Sequence, residues 1–218
     1  MIKAVLFDMD GVLIDTERMG QRVMNEVIES LGYQPSATLY PKVLGATNEA
    51  GRKAFEEELG ADYPYDEHVR RFLDVYARVN ATGDIPRKPG ADECLRALKA
   101  MGIRTALATS TATWLVNDYF AKSLPDWALL LDARVTGAEV KRSKPAPDIY
   151  LAAAAAVGCA PGECVGVEDS LNGCRAIRAA GMTCVMVPDL LPFGEPFAPY
   201  VDRVIGNLAE LPELLRTL

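Results

Sequence analysis

Short apolar runs that each stop at a polar residue recur along the chain, and they constrain its fold more than any other feature. Residues 2–7 (IKAVLF) end in Asp8, 105–108 end at Thr109, 164–167 end at Glu168 and Asp169, and 183–187 end at Pro188. Uninterrupted runs of this kind are what a parallel sheet needs, because helices cover both faces of its strands. Between them lie helical stretches closed by glycine: 92–101 before Gly102, 147–157 before Gly158, and 171–180 before Gly181. The alternation predicts βαβ units, and so an α/β, Rossmann-like doubly wound parallel sheet. Such a sheet places its ligand at the carboxyl ends of its strands, where the polar residues just named fall.

Residues 16–85 follow a different period. Met19, Val23, Val27, Ile28 and Leu31 recur at helical spacing and end at Gly32; Ala50, Ala54, Phe55 and Leu59 do so before Gly60. Val69, Phe72, Leu73, Tyr76 and Val79 make a third stripe, and all three predict core-facing helices. No strand pattern interrupts them. The expected organisation is a Rossmann-like core of residues 1–15 and 86–218 with a small all-helical cap, 16–85, inserted after the first strand. Thr16 and the Pro86–Gly90 stretch are the expected hinges.

Composition removes several classes of function. The 218 residues, half of them apolar and 24% charged, suffice for one or two packed domains. Against 23 Lys and Arg stand 30 Asp and Glu, a net charge of −7, so the chain lacks the basic face that nucleic acid or an anionic membrane requires. No apolar run approaches the roughly 20 residues of a membrane span, and the N-terminus has no signal-peptide pattern, so a cytoplasmic location is expected. Five cysteines without a CxxC pair and a single histidine offer no Cys/His zinc set. The thiols are expected as small buried hydrophobes, and His68 as a solvent-facing helix residue rather than a general base. Carboxylates, hydroxyls and lysines are left to carry any chemistry.

Asp8 and Asp10 follow the first strand and precede Gly11, where the chain turns. Residues two apart on extended backbone point the same way, and neighbouring carboxylates raise each other's proton affinity unless a cation intervenes. Glu168 and Asp169 end another apolar run, with Ser170 placed to cap the next helix. Helix capping accounts for one polar residue there, not for an adjacent acidic pair. Three or four carboxylates at one sheet edge form an oxygen site for a hard cation such as Mg²⁺. Thr109-Ser110-Thr111 offers hydroxyls and amides at a helix start, suited to phosphate. Lys144 precedes a proline-initiated helix and supplies a cation. Together these are the parts for phosphoryl transfer, in which positioning and charge neutralisation do most of the catalysis.

Asp8-Met9-Asp10-Gly11-Val12-Leu13-Ile14-Asp15-Thr16-Glu17, Thr109-Ser110, Lys144-Pro145 and Glu168-Asp169-Ser170 resemble, in order and spacing, the four motifs of the haloacid dehalogenase-like superfamily. The resemblance spans the whole chain and is to the branch of helical-capped phosphatases and β-phosphoglucomutases. It implies that Asp8 is the nucleophile that carries an aspartyl-phosphate, and that Asp10 is the general acid and base. It implies Mg²⁺ on Asp8, the backbone carbonyl of Asp10 and Asp169, with Glu168 acting through water. Phosphoryl oxygens would be held by Thr109 and Ser110, with Lys144 neutralising charge on both Asp8 and phosphate. A lid closing over the substrate would present groups from the loop Gly45-Ala46-Thr47-Asn48, with Gly45 and Asn48 as the candidate contacts.

In the β-phosphoglucomutase branch the first lid helix carries a His where Gly20 stands here, and the substrate loop carries an Arg where Asn48 stands. These departures favour a Mg²⁺-dependent phosphatase of a small phosphorylated metabolite, such as a sugar or polyol phosphate. A phosphosugar mutase is the alternative, with Arg52 or Lys53 substituting for the missing Arg. A non-catalytic binding protein would be expected to have replaced Asp8, Asp10, Lys144 or Asp169, and all four are present. The expected assembly is a monomer or weak homodimer, with no nucleic-acid or membrane partner.

Overall fold

The structure is a computed structural model that describes residues 1–43, 48–83 and 85–218. Contacts divide it into two compact units, Met1–Asp15 with Ile85–Leu218, and Thr16–Asp84. The first unit is built on six parallel strands: β1 (Ala4–Phe7), β2 (Arg104–Thr109), β3 (Ala133–Thr136), β4 (Cys164–Glu168), β5 (Thr183–Met186) and β6 (Arg203–Val204). Their order is β3-β2-β1-β4-β5-β6, so the winding reverses between β1 and β4. The predicted Rossmann-like parallel sheet is present. Four of its strands coincide with the apolar runs; β3, which carries Arg134, and β6, two exposed residues, do not.

Register aligns the strand ends. Phe7 lies opposite both Leu107 and Val167, and the Asp8 amide donates to the Val167 carbonyl at 3.0 Å. Residues 8, 109 and 168 therefore emerge at one edge. The expected core helices are α5 (Ala91–Ala100), α7 (Asp148–Ala156) and α8 (Leu171–Ala179); α6 (Thr113–Lys122) and the five-residue α9 (Leu211–Leu215) are additional. Ala4, Leu6, Ala106 and Ala108 of the sheet pack with Ile149, Tyr150 and Ala153 of α7 and with Cys174 and Ile177 of α8. In β4, Gly166 makes room for that helix, since a Cβ there would lie 2.5 Å from Ile177. All five cysteines are buried free thiols, as expected.

The second unit holds α1 (Thr16–Ser30), α2 (Leu39–Val43), α3 (Asn48–Leu59) and α4 (Tyr65–Ala81). The α1 stripe is buried at Met19, Val23, Val27 and Ile28, and that of α3 at Ala54 and Phe55. The α4 stripe is corrected by the structure: Val69, Phe72, Tyr76 and Val79 are half-buried and Leu73 is 60% exposed. The buried positions of α4 are Tyr65, His68 and Asn80. His68 is therefore not solvent-facing. Its Nδ1 pairs with the Tyr63 hydroxyl at 2.7 Å and its ring packs on Phe55, so the polar edge is satisfied inside an aromatic cluster. Burial pushes its pKa down to about 4. No helix among the described residues is long and apolar enough to cross a membrane.

Candidate active site

The crevice between β1 and β4 is where an open α/β sheet offers room for a ligand, and both strands end there in acids. Asp8 leaves β1 into a tight turn closed by the Gly11 amide on the Ile14 carbonyl. Gly11 has a left-handed φ of +76°, and a Cβ on it would fall 2.3 Å from Asp169 Oδ2. Only glycine meets both conditions, so the β1 turn and the end of β4 press together. Oxygen atoms of Asp8, Glu168 and Asp169 lie within 4.8 Å of one another. This all-carboxylate set suits a hard divalent cation, as the sequence led us to expect.

Lys144 joins the two strand ends. Its Nζ lies 2.6 Å from Asp8 Oδ1 and 2.7 Å from Glu168 Oε1, with the side chain 9% exposed. Glu168 is fully buried and both its carboxylate oxygens accept hydrogen bonds. Oε1 accepts from Lys144 and from the Tyr150 hydroxyl at 3.0 Å; Oε2 accepts from the amides of Asp169 and Ser170 and from Ser170 Oγ. Ser170 also caps α8, its Oγ accepting from the Gly173 amide at 3.1 Å. One residue thus performs the expected capping and also holds the acid.

The charges shift one another. Burial pushes Asp8 up to about 7, against the pull of Lys144 and helped by the repulsion of Glu168 and Asp10. Burial likewise opposes ionisation of Glu168, but Lys144 and the Ser170 donors outweigh it and hold it below the usual range. For Lys144, burial favours the neutral amine and the two carboxylates overcome it, leaving an ammonium held above its ordinary value.

Asp10 turns toward β2. Its Oδ2 accepts from Thr111 Oγ1 at 2.5 Å, with Thr109 Oγ1 at 3.5 Å. Thr109 is buried and its hydroxyl also accepts from the Thr111 amide at 3.1 Å. Ser110 is exposed beside them. The core candidates Asp8, Asp10, Thr109, Lys144, Glu168 and Asp169 therefore meet at one sheet edge. Asn48 is the exposed first residue of α3 in the other unit, and Gly45 lies outside the described residues. Thr111, expected with Thr109 and Ser110 as part of a phosphate site, gives its hydroxyl to Asp10. Tyr150 escaped the sequence reading, standing among apolar residues of α7 with nothing to mark its hydroxyl.

Comparison with known proteins gives the same class. Residues 2–181 match the family model of haloacid dehalogenase-like hydrolases. The chain is 33% identical over 218 residues to the protein CbbY of Cereibacter sphaeroides, covering 97% of this chain and 94% of that one. It is 32% identical over 181 residues to a phosphorylated carbohydrates phosphatase of Thermotoga maritima, covering 83% and 82%. A crystal structure of a variant CbbY from Rhodobacter sphaeroides in complex with xylulose-(1,5)bisphosphate superposes with a TM-score of 0.72. That pair is 31% identical, and the match covers 97% of this chain and 96% of that one. The chain belongs to the haloacid dehalogenase-like hydrolases. Its place among them is with the phosphatases.

Proposed function

We propose that the protein is a Mg²⁺-dependent phosphatase that hydrolyses a small phosphorylated metabolite, a sugar or polyol phosphate, through an aspartyl-phosphate on Asp8. The observation that carries this reading is the Lys144 ammonium bridging Asp8 and Glu168, beside Asp169, at the point where the sheet reverses. The sugar-phosphate class draws support from the carbohydrate phosphatase and the bisphosphate complex among the related proteins.

Asp8, Asp169 and the backbone carbonyl of Asp10 would hold the cation, with Glu168 supporting it through water while its carboxylate anchors Lys144. When bound, Mg²⁺ keeps Asp8 ionised and offsets its repulsion of the phosphate dianion. An Asp8 carboxylate oxygen attacks phosphorus, the bond from phosphorus to the leaving oxygen breaks, and Asp10 gives that oxygen its proton. Water then attacks the phosphoryl group while Asp10 takes a proton from it. The bond between phosphorus and Asp8 breaks, inorganic phosphate leaves, and the carboxylate is restored. Thr111 orients Asp10 for both transfers. Thr109, Ser110 and Lys144 bind the phosphoryl oxygens. Gly45, Asn48 and their neighbours in the helical unit select the rest of the substrate.

The test is phosphate release from p-nitrophenyl phosphate, with and without a chelator, followed by a panel of sugar, polyol and nucleotide monophosphates. Release that needs the metal and vanishes in Asp8→Asn is expected, with roughly 10³-fold or greater loss for a missing nucleophile. Full activity in Asp8→Asn overturns the assignment.

A further inference from the structure

Lys144 is shared between two carboxylates, so its position depends on how strongly each competes for it. Asp8 and Glu168 approach it almost equally, at 2.6 and 2.7 Å. Four of the five donors to Glu168 come from the end of β4 or from Lys144 itself. The fifth is the hydroxyl of Tyr150, wholly buried on α7, which donates to the same Oε1 that Lys144 uses. The Tyr150 ring also stands 5.1 Å from Lys144 Nζ, within cation–π range. One side chain thus touches both the lysine and the acid that holds it.

We propose that Tyr150 is a positioning residue: its hydroxyl takes up part of the acceptor capacity of Glu168 Oε1, so that Lys144 is left divided between Glu168 and Asp8. Burial beside two acids drives the phenol's pKa well up, so the hydroxyl stays protonated and donates. Without it, a buried carboxylate oxygen has one donor fewer and draws the ammonium more strongly toward itself. The Lys144–Asp8 contact then lengthens, although no group touching the substrate has changed. The inference rests on the roles proposed above for Asp8 and Lys144.

The experiment compares Tyr150→Phe, which keeps the ring and removes the oxygen, with the natural protein by three readings. First, kcat for p-nitrophenyl phosphate is expected to fall about tenfold, with KM and the calorimetric Mg²⁺ dissociation constant each within about twofold. Second, in a Glu168→Gln background the same substitution is expected to change kcat less than about twofold, because the partner it acts through has been altered. Third, the ¹⁵N resonance of the Lys144 ammonium, assigned with Lys144→Arg, is expected to shift or broaden while other lysine signals stay in place.

An unchanged kcat overturns the proposal. So do additive losses in the double variant, or a fall in Mg²⁺ affinity that accounts for the slower turnover. If the natural protein releases no phosphate, the proposed function fails and the ammonium resonance still decides the role of Tyr150. An identical Lys144 signal in Tyr150→Phe then rejects it. Should Tyr150→Phe fold poorly, Tyr150→Met, which also lacks a hydrogen-bond donor and does not exceed the volume of the tyrosine, is read in the same three ways.

Discussion

A cation buried between two acids does more for the site than any single hydrogen bond. Removing Lys144 leaves Asp8 and Glu168 facing each other inside the protein, and breaking a buried pair from one side commonly costs several kcal/mol. Lys144→Met, of similar length, is expected to lose about 3 kcal/mol, a fall in Tm of roughly 6–12 °C. Added Mg²⁺ should return part of that loss by supplying positive charge to the same oxygens, which differential scanning calorimetry with and without the metal will measure. Equal losses in both conditions would separate the lysine from the acidic cluster. At this scale the sequence was most informative where an acid ended an apolar strand, since burying a charge there has no cheap structural excuse. It was silent about Tyr150, whose six-residue distance from Lys144 shows no pattern, and it misplaced His68 at the surface, because the buried partner Tyr63 is invisible to helical periodicity.

Elements place these residues, and two substitutions test how. Gly173 sits in the first turn of α8, and a Cβ there would fall 1.7 Å from Glu168 Oε1. Helix propensity alone says that Gly→Ala gains up to about 1 kcal/mol. The geometry reverses the sign: Gly173→Ala must displace Glu168 or the helix, and is expected to lose about 2 kcal/mol in urea unfolding together with most turnover. A stabilised, active variant would show that the helix start and the acid do not abut. In α4, His68 is neutral when folded, with a pKa of about 4, but takes a proton near pH 6.5 when unfolded. The unfolded chain therefore binds more protons between those values, and stability falls as pH drops through that window. From pH 7 to 5 the loss should be about 2 kcal/mol larger in the natural protein than in His68→Gln, read as the shift in urea midpoint. The four strands with apolar runs were legible because both their faces are buried. The edge strands β3 and β6 were not, since an edge tolerates arginine and exposure and so breaks the pattern that marks a buried strand. Likewise α4 carried a helical stripe whose residues are only half covered, because periodicity reports an apolar face but not what lies against it.

The chain as a whole pairs β1 with strands that come after a long helical excursion, and it does so at small entropic cost because loop closure grows only logarithmically with length. The two ends of that excursion are fastened together within the core. The Asp15 amide donates to the Pro86 carbonyl at 2.8 Å, the Lys88 amide to the Leu13 carbonyl at 2.9 Å, and Ile14 and Arg87 form an antiparallel bridge. Side chains reinforce the second connection: Arg87 pairs with Asp92 and Asp126 over the Trp127 ring, and Lys88 pairs with the buried Asp189 at 2.6 Å. The stretch after residue 85 is therefore part of the core's own structure, and the contact division falls just before it. Every side chain of the acidic cluster, with Lys144, Tyr150 and Thr111, also belongs to this unit. It follows that replacing residues 16–84 by a short Gly-Ser turn should leave a core that unfolds cooperatively and gains thermal stability on addition of Mg²⁺. The shortened protein should still release phosphate from p-nitrophenyl phosphate and should lose the natural chain's preferences among phosphate esters. Near-ultraviolet circular dichroism, the Mg²⁺-dependent shift in Tm and turnover across the ester panel measure these three outcomes. A shortened chain without fixed tertiary signal would mean that the helical unit is needed to fold the core, and one with unaltered ester preferences would place substrate selection in the core instead.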